Sequence, residues 1–263
     1  MSKILLLWKN IGLALCLILG LPLAGTVLTN REIASYLVVR RRGISPLCSA
    51  PGNFVLLFAA SALFWWVFEF LNRFVENWHY TGAGYPPVTY FLLATLSFST
   101  VLPAVESLKA YCLTFDVFRN GFTYFGKIDL VQARPLAFVL LVVSCGVLFL
   151  LGVFPDQLFF GVWLAPLGIL LACRMVFRQP HPFQAAGQGD WTTVAVYAAA
   201  ALICGFFWEL FNSCSHARWV YSVPYVHGTK LFEMPLLGYA GYLPFGLECA
   251  LVIDLVKGMT NSD

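Results

Sequence analysis

Long apolar runs dominate the hydrophobic pattern of this chain, and short polar segments separate them. A helix needs about 20 mostly apolar residues to cross the hydrocarbon core of a bilayer. The pattern predicts about seven spanning helices, within a range of six to eight. Their approximate bounds are Ile11–Leu28, Phe54–Phe74, Val88–Cys112, Pro135–Phe154, Leu158–Met175, Thr192–Phe211 and Leu231–Val256. Because only residues 155–157 separate the fourth and fifth runs, these two are expected to form a tight hairpin over about residues 135–175.

The composition points to the same class of protein. Of the 263 residues, 60% are hydrophobic and 11% are charged, and the mean hydropathy is +0.78. An average soluble domain has about 25% charged residues, so these values exclude a soluble enzyme, a disordered protein and a nucleic-acid-binding module. We therefore predict an all-α polytopic membrane bundle, with residues 1–263 forming a single integral membrane domain.

The lysine and arginine residues predict how the spans are oriented. Cytoplasmic loops of membrane proteins are enriched in these residues. If the loops after spans one, three and five share a side with the C-terminus, that side carries 11 of the 16 basic residues. We expect it to be cytoplasmic and the N-terminus to be outside, as in a bacterial inner-membrane protein. Arg178 is then inside, whereas Trp78, His79 and Trp219 are outside.

Two segments of the chain resemble each other. Residues 64–80 read FWWVFEFLNRFVENWHY, and residues 205–221 read GFFWELFNSCSHARWVY. Each contains E-x-x-N and then W-x-Y, and each is followed by Leu-Pro and a glutamate. The ordered match predicts a parallel internal repeat of two helices, over about residues 54–112 and 192–256. The matched pairs are Glu69 and Glu209, Asn72 and Asn212, Trp78 and Trp219, Tyr80 and Tyr221, and Glu106 and Glu248.

Glutamates inside the predicted spans are the candidate catalytic residues. A charged side chain at the centre of a bilayer costs about 2.5–3.5 kcal/mol on insertion scales, so its presence indicates a function. We assign acid–base roles to Glu69, Glu106, Glu209 and Glu248. The alternative is that the glutamate and asparagine pairs only hydrogen-bond neighbouring helices to each other.

Polar and aromatic residues near these glutamates are the candidate substrate-binding residues. The two asparagines lie one helical turn beyond a glutamate. The W-x-Y residues follow the outer ends of their spans, where they either form an aromatic belt at the interface or cover the mouth of a cavity. The full set is Asn72, Asn212, Glu233, Trp78, Tyr80, Trp219, Tyr221, Tyr239 and Tyr242.

The second copy of the repeat has the more irregular pattern. Residues 231–248 read LFEMPLLGYAGYLPFGLE, in which glycine and proline predict an interrupted helix. Irregular backbone inside a membrane is tolerated where it lines protein or a cavity. The first copy has serine and threonine there, and their hydroxyls can satisfy helix carbonyls locally. We therefore expect the working site in the second copy, formed by Glu209 and Glu248 with Asn212 and Glu233.

Three functions fit this pattern. The first is an enzyme that acts on a lipid or isoprenoid, with glutamates as acid and base and aromatic side chains stabilising a cationic intermediate. The second is a small transporter or proton-coupled carrier that uses the same glutamates. The third is a non-catalytic assembly subunit. A slot that opens sideways to lipid favours the enzyme, and a water path to both faces favours the carrier.

Motifs for cofactor or metal chemistry are missing from the sequence. It contains no G-x-S-x-G, P-loop, H-E-x-x-H, G-x-G-x-x-G or aspartate-rich prenyl-diphosphate motif. We therefore predict neither a cofactor nor a metal site. The expected partners are membrane lipids and a hydrophobic small-molecule substrate, with no nucleic acid; the sequence leaves oligomeric partners open.

Overall fold

The predicted all-α class is confirmed by a computed structural model, in which about 70% of the described residues are helical. The structure describes residues 37–41, 43, 51–82, 84–128 and 134–260, and the predicted first span lies outside these ranges. The helices are α1 (Pro51–Val75), α2 (Pro87–Phe98), α3 (Val101–Cys112), α4 (Asp116–Asn120), α5 (Arg134–Leu150), α6 (Pro155–Leu158), α7 (Gly161–Val176), α8 (Thr192–Ser213) and α9 (Tyr242–Thr260). Short 3-10 helices cover Gln184–Gln188 and Leu236–Gly241. The strands are β1 (Trp78–Thr81), β2 (Arg218–Tyr221), β3 (Lys230–Leu231) and β4 (Met234–Pro235).

Four helical segments in the described ranges are long and apolar enough to cross a bilayer. They are Gly52–Val75, Pro87–Cys112, Thr192–Ser213 and Leu236–Met259, which correspond to predicted spans two, three, six and seven. Helices α5 and α7 occupy the positions of predicted spans four and five. They are 17 and 16 residues long, below the about 20 residues of a typical span. The described residues therefore contain helices typical of an integral membrane protein, with four candidate spans where six were predicted, and the remaining predicted span, Ile11–Leu28, lies outside them.

Both predicted two-helix units contain an interruption, not only the second. In the first unit, α2 ends at Phe98 and α3 begins at Val101. In the second unit, the 3-10 helix ends at Gly241 and α9 begins at Tyr242. A proline, Pro103 or Pro244, is the third residue of the new helix in each case. The first turn of a helix tolerates proline, because its N–H groups have no partner within the helix.

The interruption between α2 and α3 is bridged by a side chain from α1. The Ser61 hydroxyl donates to the carbonyl of Phe98 at 2.5 Å and accepts from the Leu102 N–H at 3.1 Å. One buried hydroxyl therefore satisfies a helix end and a helix start at once. At the interruption itself, the hydroxyls of Ser97, Ser99 and Thr100 donate to the carbonyls of Leu93, Leu96 and Ser97, which is the local satisfaction of helix carbonyls expected for the first unit.

The centre of the bundle is the contact of α8 with α9, and α3 packs against α8 from the side. Gly246 of α9 lies so close to α8 that an added Cβ would be 2.3 Å from the carbonyl oxygen of Tyr197. Ala200 and Ala201, on the facing side of α8, are fully buried. Small residues let helix backbones approach closely in membranes, and this contact holds the second unit together.

The bundle has two chemically different ends. The strand end carries β1 and β2, which form a two-stranded antiparallel sheet. The basic end carries Lys109, Lys257 and Arg174 at the C-terminal ends of α3, α9 and α7. This grouping agrees with the predicted separation of basic residues, and which end is cytoplasmic stays a prediction.

Thiol labelling tests that orientation. His79 and Arg178 are both exposed, at the strand end and just after α7. We expect a membrane-impermeant maleimide added outside intact cells to label a His79→Cys variant above the wild-type background and to leave Arg178→Cys unlabelled. Labelling of both variants from the same side would contradict the predicted topology.

Candidate active site

The two E-x-x-N motifs build the same main-chain clamp. The Asn72 amide donates to the Trp78 carbonyl at 2.7 Å and accepts from the Trp78 N–H at 3.3 Å. The Asn212 amide makes the same two bonds with Trp219, at 2.7 and 2.9 Å. Each asparagine therefore fixes the start of the W-x-Y segment at the end of its helix. These bonds go to the backbone, so the asparagines position the aromatic residues.

The two glutamates of the motifs also have matching partners. Glu69 Oε1 accepts from Trp78 Nε1 at 3.2 Å and from the Tyr80 hydroxyl at 2.6 Å. Glu209 Oε1 accepts from Trp219 Nε1 at 3.2 Å and from the Tyr221 hydroxyl at 2.6 Å. In each motif, then, an indole and a phenol from the W-x-Y segment bind one carboxyl oxygen.

Strand pairing brings the two motifs together. In the β1–β2 ladder Trp78 lies opposite Tyr221, and Tyr80 lies opposite Trp219. The pairing is antiparallel, so each motif faces the other in reverse order. The two W-x-Y segments therefore lie side by side at the strand end.

The third donor to each glutamate is different in the two motifs. Glu69 accepts from Trp65 Nε1, one turn back on its own helix, at 3.1 Å. The position one turn before Glu209 is Gly205. This glycine leaves space for Tyr242 of α9, whose hydroxyl donates to Glu209 Oε1 at 3.0 Å. Glu209 thus binds two phenols, whereas Glu69 binds one.

Gly205→Ala tests this close approach. An added Cβ would lie 2.3 Å from Cε2 of the Tyr242 ring, with two further ring atoms at 2.5 Å. Because the ring has to move, we expect the free energy of unfolding to fall by about 1–3 kcal/mol, as in other overpacked cores. The control is Gly146→Ala, where an added Cβ meets nothing within 4 Å. Unfolding in detergent micelles checks the difference, and equal stability of the two variants would contradict it.

A cavity of about 450 Å³ lies behind the β1–β2 strands. Fourteen of its 30 lining residues are aromatic and none carries a formal charge, so it is an apolar slot. The tryptophans of the wall are Trp65, Trp78, Trp163, Trp208 and Trp219. The rings of Trp65, Trp163 and Trp208 pack around Phe245, with centroid distances of 5.7, 6.0 and 6.4 Å.

Part of the cavity wall is exposed on the outside of the bundle. Phe160, Leu164 and Leu237 line the cavity and are 40%, 47% and 66% exposed. Leu164 lies on the apolar helix α7, and Leu237 lies within a candidate spanning segment. Apolar side chains of two helical segments therefore form the exposed part of this wall.

Tyrosine hydroxyls connect this cavity to the glutamates. Tyr80, Tyr221 and Tyr242 line the cavity, whereas Glu69 and Glu209 lie behind them. Glu209 is fully buried, and its Oε2 has no hydrogen-bond partner among the described residues. The groups that a substrate would meet are therefore phenols, each with a carboxyl group as its hydrogen-bond acceptor.

The two strand tyrosines are held in their neutral form. Burial raises the pKa of the Tyr80 phenol well above its usual range, and the charge of Glu69 raises it further. Burial also raises the pKa of the Tyr221 phenol, with added contributions from Tyr242 and Glu209. Both residues therefore keep their O–H proton at physiological pH, as a hydrogen-bond donor to the glutamate requires.

Glu248 lies apart from this cavity, although the sequence analysis places it in the same site as Glu209. Its Oε1 accepts from the N–H of Leu167 at 3.0 Å, and it is fully buried. Leu167 follows Pro166, a proline inside α7 that disturbs the helical hydrogen bonds around it. Glu248 thus satisfies a main-chain group at an irregular point of the neighbouring helix.

Glu106 lies at the basic end and has cationic partners. Its Oε1 is 2.8 Å from Lys257 Nζ and 3.2 Å from Lys109 Nζ, and its Oε2 accepts from the Tyr197 hydroxyl at 2.9 Å. These partners come from α3, α8 and α9. The structure therefore separates the pair Glu106 and Glu248 from the pair Glu69 and Glu209.

The remaining candidates lie at the strand end. Glu233 pairs with Arg218 Nη1 at 3.3 Å, next to the β1–β2 sheet. The Tyr239 hydroxyl donates to the carbonyl of Leu231 at 3.1 Å, and its ring centroid is 6.1 Å from that of Tyr242. Neither residue lines the cavity.

Sequence reasoning missed several cavity residues. Four residues that line the cavity were not predicted: Trp65, Trp163, Trp208 and Phe245. None of them occupies a matched motif position, so in the sequence they look like ordinary apolar residues of membrane spans. Gly205 was also missed, although it stands where the first copy has Trp65. That mismatch, one turn before a matched glutamate, is a signal that could have identified it.

The chain matches no protein-family model, no curated protein and no solved structure. Among the described residues no cluster of three or more His, Cys, Asp and Glu side chains could hold a metal ion. The site is therefore interpreted from its own geometry.

Proposed function

We propose that this membrane protein is an enzyme that moves protons on a lipid or isoprenoid substrate held in the aromatic cavity. The observation that carries the proposal is the pairing of cavity-lining phenols with buried glutamates inside an otherwise uncharged slot. An apolar cavity with a few convergent polar groups is the usual form of a small-molecule site.

The Glu209 side supplies one acid–base group. Tyr242 and Tyr221 present hydroxyls to the cavity, and both donate to Glu209 Oε1. A proton taken from the substrate by a phenol oxygen can pass to the carboxylate as the phenol hands on its own proton. A positioned acid or base of this kind contributes about 10²–10⁴-fold to a rate.

The Glu69 side supplies a second group on the facing strand. Tyr80 lines the same cavity and donates to Glu69 at 2.6 Å. A substrate in the cavity is therefore in reach of one phenol that can give a proton and another that can take one. Adding a proton at one position and removing one at another isomerises or cyclises an unsaturated chain without a cofactor.

The aromatic wall suits a cationic intermediate. Trp65, Trp163, Trp208 and Tyr242 surround Phe245 with centroid distances of 5.7–6.4 Å. The faces of aromatic rings attract a positive charge by about 0.5–2 kcal/mol each when water is excluded. Such a wall stabilises the cation that forms when a double bond accepts a proton.

We infer that the two proton-transfer groups arose from the internal repeat. The asparagine clamps, the indole bonds and the phenol bonds match pair by pair, with distances that differ by at most 0.4 Å. Divergence at Gly205 and Trp65 then gave one copy its second phenol.

Packing between the two ends supports an enzyme over a carrier. Val101 lines the cavity, and Glu106 lies just over one turn further along α3 at the basic end. Leu102 and Val105 lie between them and are fully buried among apolar side chains. This apolar layer separates the cavity from the polar groups of the opposite end.

Lipid mass spectrometry tests the proposed function. Membranes that contain the protein are compared with membranes that lack it, and lipids that copurify with the protein are identified. We expect a lipid or isoprenoid species to be converted only where the protein is present. Identical lipid profiles, with no lipid copurifying, would contradict an enzyme of this class.

A further inference from the structure

A second pocket, which is polar, lies at the strand end. It is lined by Glu69, Arg73, Glu76, His79, Trp78 and Tyr80, together with two smaller polar side chains. Arg73, Glu76 and His79 are exposed, so water reaches this pocket from the aqueous face. We call it the entry pocket.

The entry pocket and the aromatic cavity share a wall. Trp78 and Tyr80 line both of them. Glu69 lines the entry pocket, and its Oε1 accepts from Trp78 Nε1 at 3.2 Å and from the Tyr80 hydroxyl at 2.6 Å. One short hydrogen bond therefore connects a carboxyl group in a polar pocket with a phenol in the wall of an apolar slot.

Glu209 has no comparable connection to water. It is fully buried, while Glu69 is half-buried. The hydrogen-bond partners of Glu209, which are Trp219, Tyr221 and Tyr242, all line the aromatic cavity. The two glutamates have matching hydrogen bonds but different surroundings: Glu69 borders water, and Glu209 borders the cavity.

We propose that Glu69 and Tyr80 form a proton relay between the aqueous face at the strand end and the aromatic cavity, and that Glu209 exchanges protons with water only through that relay. The proposal rests on the proposed function for what the relay serves, since it supplies the acid–base groups of the cavity. In this relay Tyr80 is the residue that passes the proton, Glu69 exchanges it with water, and Glu209 serves the cavity.

The relay moves one proton at a time without leaving a charge on the phenol. A proton from water binds the Glu69 carboxylate. The Tyr80 O–H bond then breaks as its proton passes to an acceptor in the cavity, and the Glu69 proton forms a new O–H bond on Tyr80. After a turnover, the proton that Glu209 took from the substrate returns through Tyr242, a cavity water and Tyr80 to Glu69, so the count closes.

Several titratable and charged groups face Glu69 and enter its titration. Arg73 comes from α1, Glu76 directly follows that helix, His79 and Tyr80 come from β1, and Tyr90 comes from α2. A pH experiment therefore has to identify the glutamate by substitution and cannot rely on the midpoint alone.

Infrared difference spectroscopy on the reconstituted protein tests the relay without any substrate. The pH on each side of the liposome is changed separately, and the carboxyl bands are assigned by their loss in Glu69→Gln and Glu209→Gln. We expect both bands to respond to pH at the strand end, and the Glu209 response to be at least tenfold slower. In Tyr80→Phe the Glu69 band should still respond, whereas the Glu209 response should be lost.

The control variant is Tyr111→Phe, which removes a phenol that packs against Phe115 near the basic end; both responses should persist in it. A Glu209 band that responds as fast in Tyr80→Phe as in the wild type would overturn the relay, and so would a Glu69 band that follows pH at the basic end. Because the readout needs no turnover, the relay can hold where the enzyme proposal fails. Conversely, lipid conversion with an unresponsive Glu69 band would overturn the relay alone.

Discussion

Glu209→Gln should reduce lipid conversion by about 10²–10⁴-fold, the usual contribution of a positioned acid or base, and leave the protein folded. Glutamine keeps the length of the side chain and an oxygen that can accept from Tyr221 and Tyr242. It removes the titratable proton, so the phenols have no group with which to exchange protons. The rate is measured by mass spectrometry of lipids in membranes with matched amounts of each protein.

A matched acid-to-amide change provides the control. Asp156→Asn alters an exposed residue in α6, away from the cavity lining, and should leave conversion unchanged. If Glu209→Gln is as active as this control and equally stable, Glu209 has only a packing role. The acid–base assignment of that residue is then wrong.

Glu106→Gln should lower the free energy of unfolding more than the other glutamate-to-glutamine substitutions described above. Removing one partner of a buried ion pair costs about 3–5 kcal/mol, because a charge is left without compensation. Lys109 and Lys257 are 21% and 36% exposed, so solvent screens part of this effect, and we expect about 2–3 kcal/mol. Denaturant unfolding in mixed micelles measures the change.

The comparison is Asp116→Asn, which breaks the exposed pair of Asp116 with Arg119 at the same i,i+3 spacing. An exposed pair of this kind contributes about 0–1 kcal/mol. Equal effects of the two substitutions would show that the Glu106 cluster is solvated like an ordinary surface pair.

Much of the site was within reach of sequence reasoning, because the two matched sequence motifs mark it. Glu69, Glu209 and the two W-x-Y segments recur with their spacing kept, and the structure joins them through matching bonds. The role of Asn72 and Asn212 was less predictable. An amide one turn from a glutamate can bind that carboxyl group or the following backbone, and the choice depends on how the chain leaves the helix.

Contacts between distant segments could not be predicted from the sequence. Glu248 binds the N–H of Leu167 because α7 packs against α9 near Pro166, and no pattern in either helix reveals that crossing. Tyr242 reaches Glu209 through the space above Gly205. Glu106, which lies away from the cavity, likewise binds a residue that is 151 positions away along the chain, Lys257.

Helix length explains why predicted spans four and five are not among the candidate spans. Hydropathy treats residues 135–175 as two apolar runs, but α5 ends at Leu150, α6 occupies Pro155–Leu158, and α7 begins at Gly161. Proline at the start of α6 favours a new helix over continuation of the old one. The apolar runs are therefore longer than the helices they form.

Incorporation of deuterium into lipid tests whether the tyrosine–glutamate pairs transfer protons to an apolar substrate in the cavity. Membranes containing the wild-type protein or Glu209→Gln are incubated in D₂O, and their lipids are analysed by mass spectrometry. With the wild type we expect a lipid or isoprenoid product that carries deuterium on carbon, and with Glu209→Gln we expect the amount of this product to be strongly reduced. Lipids without carbon-bound deuterium, or equal labelling by the two proteins, would contradict it.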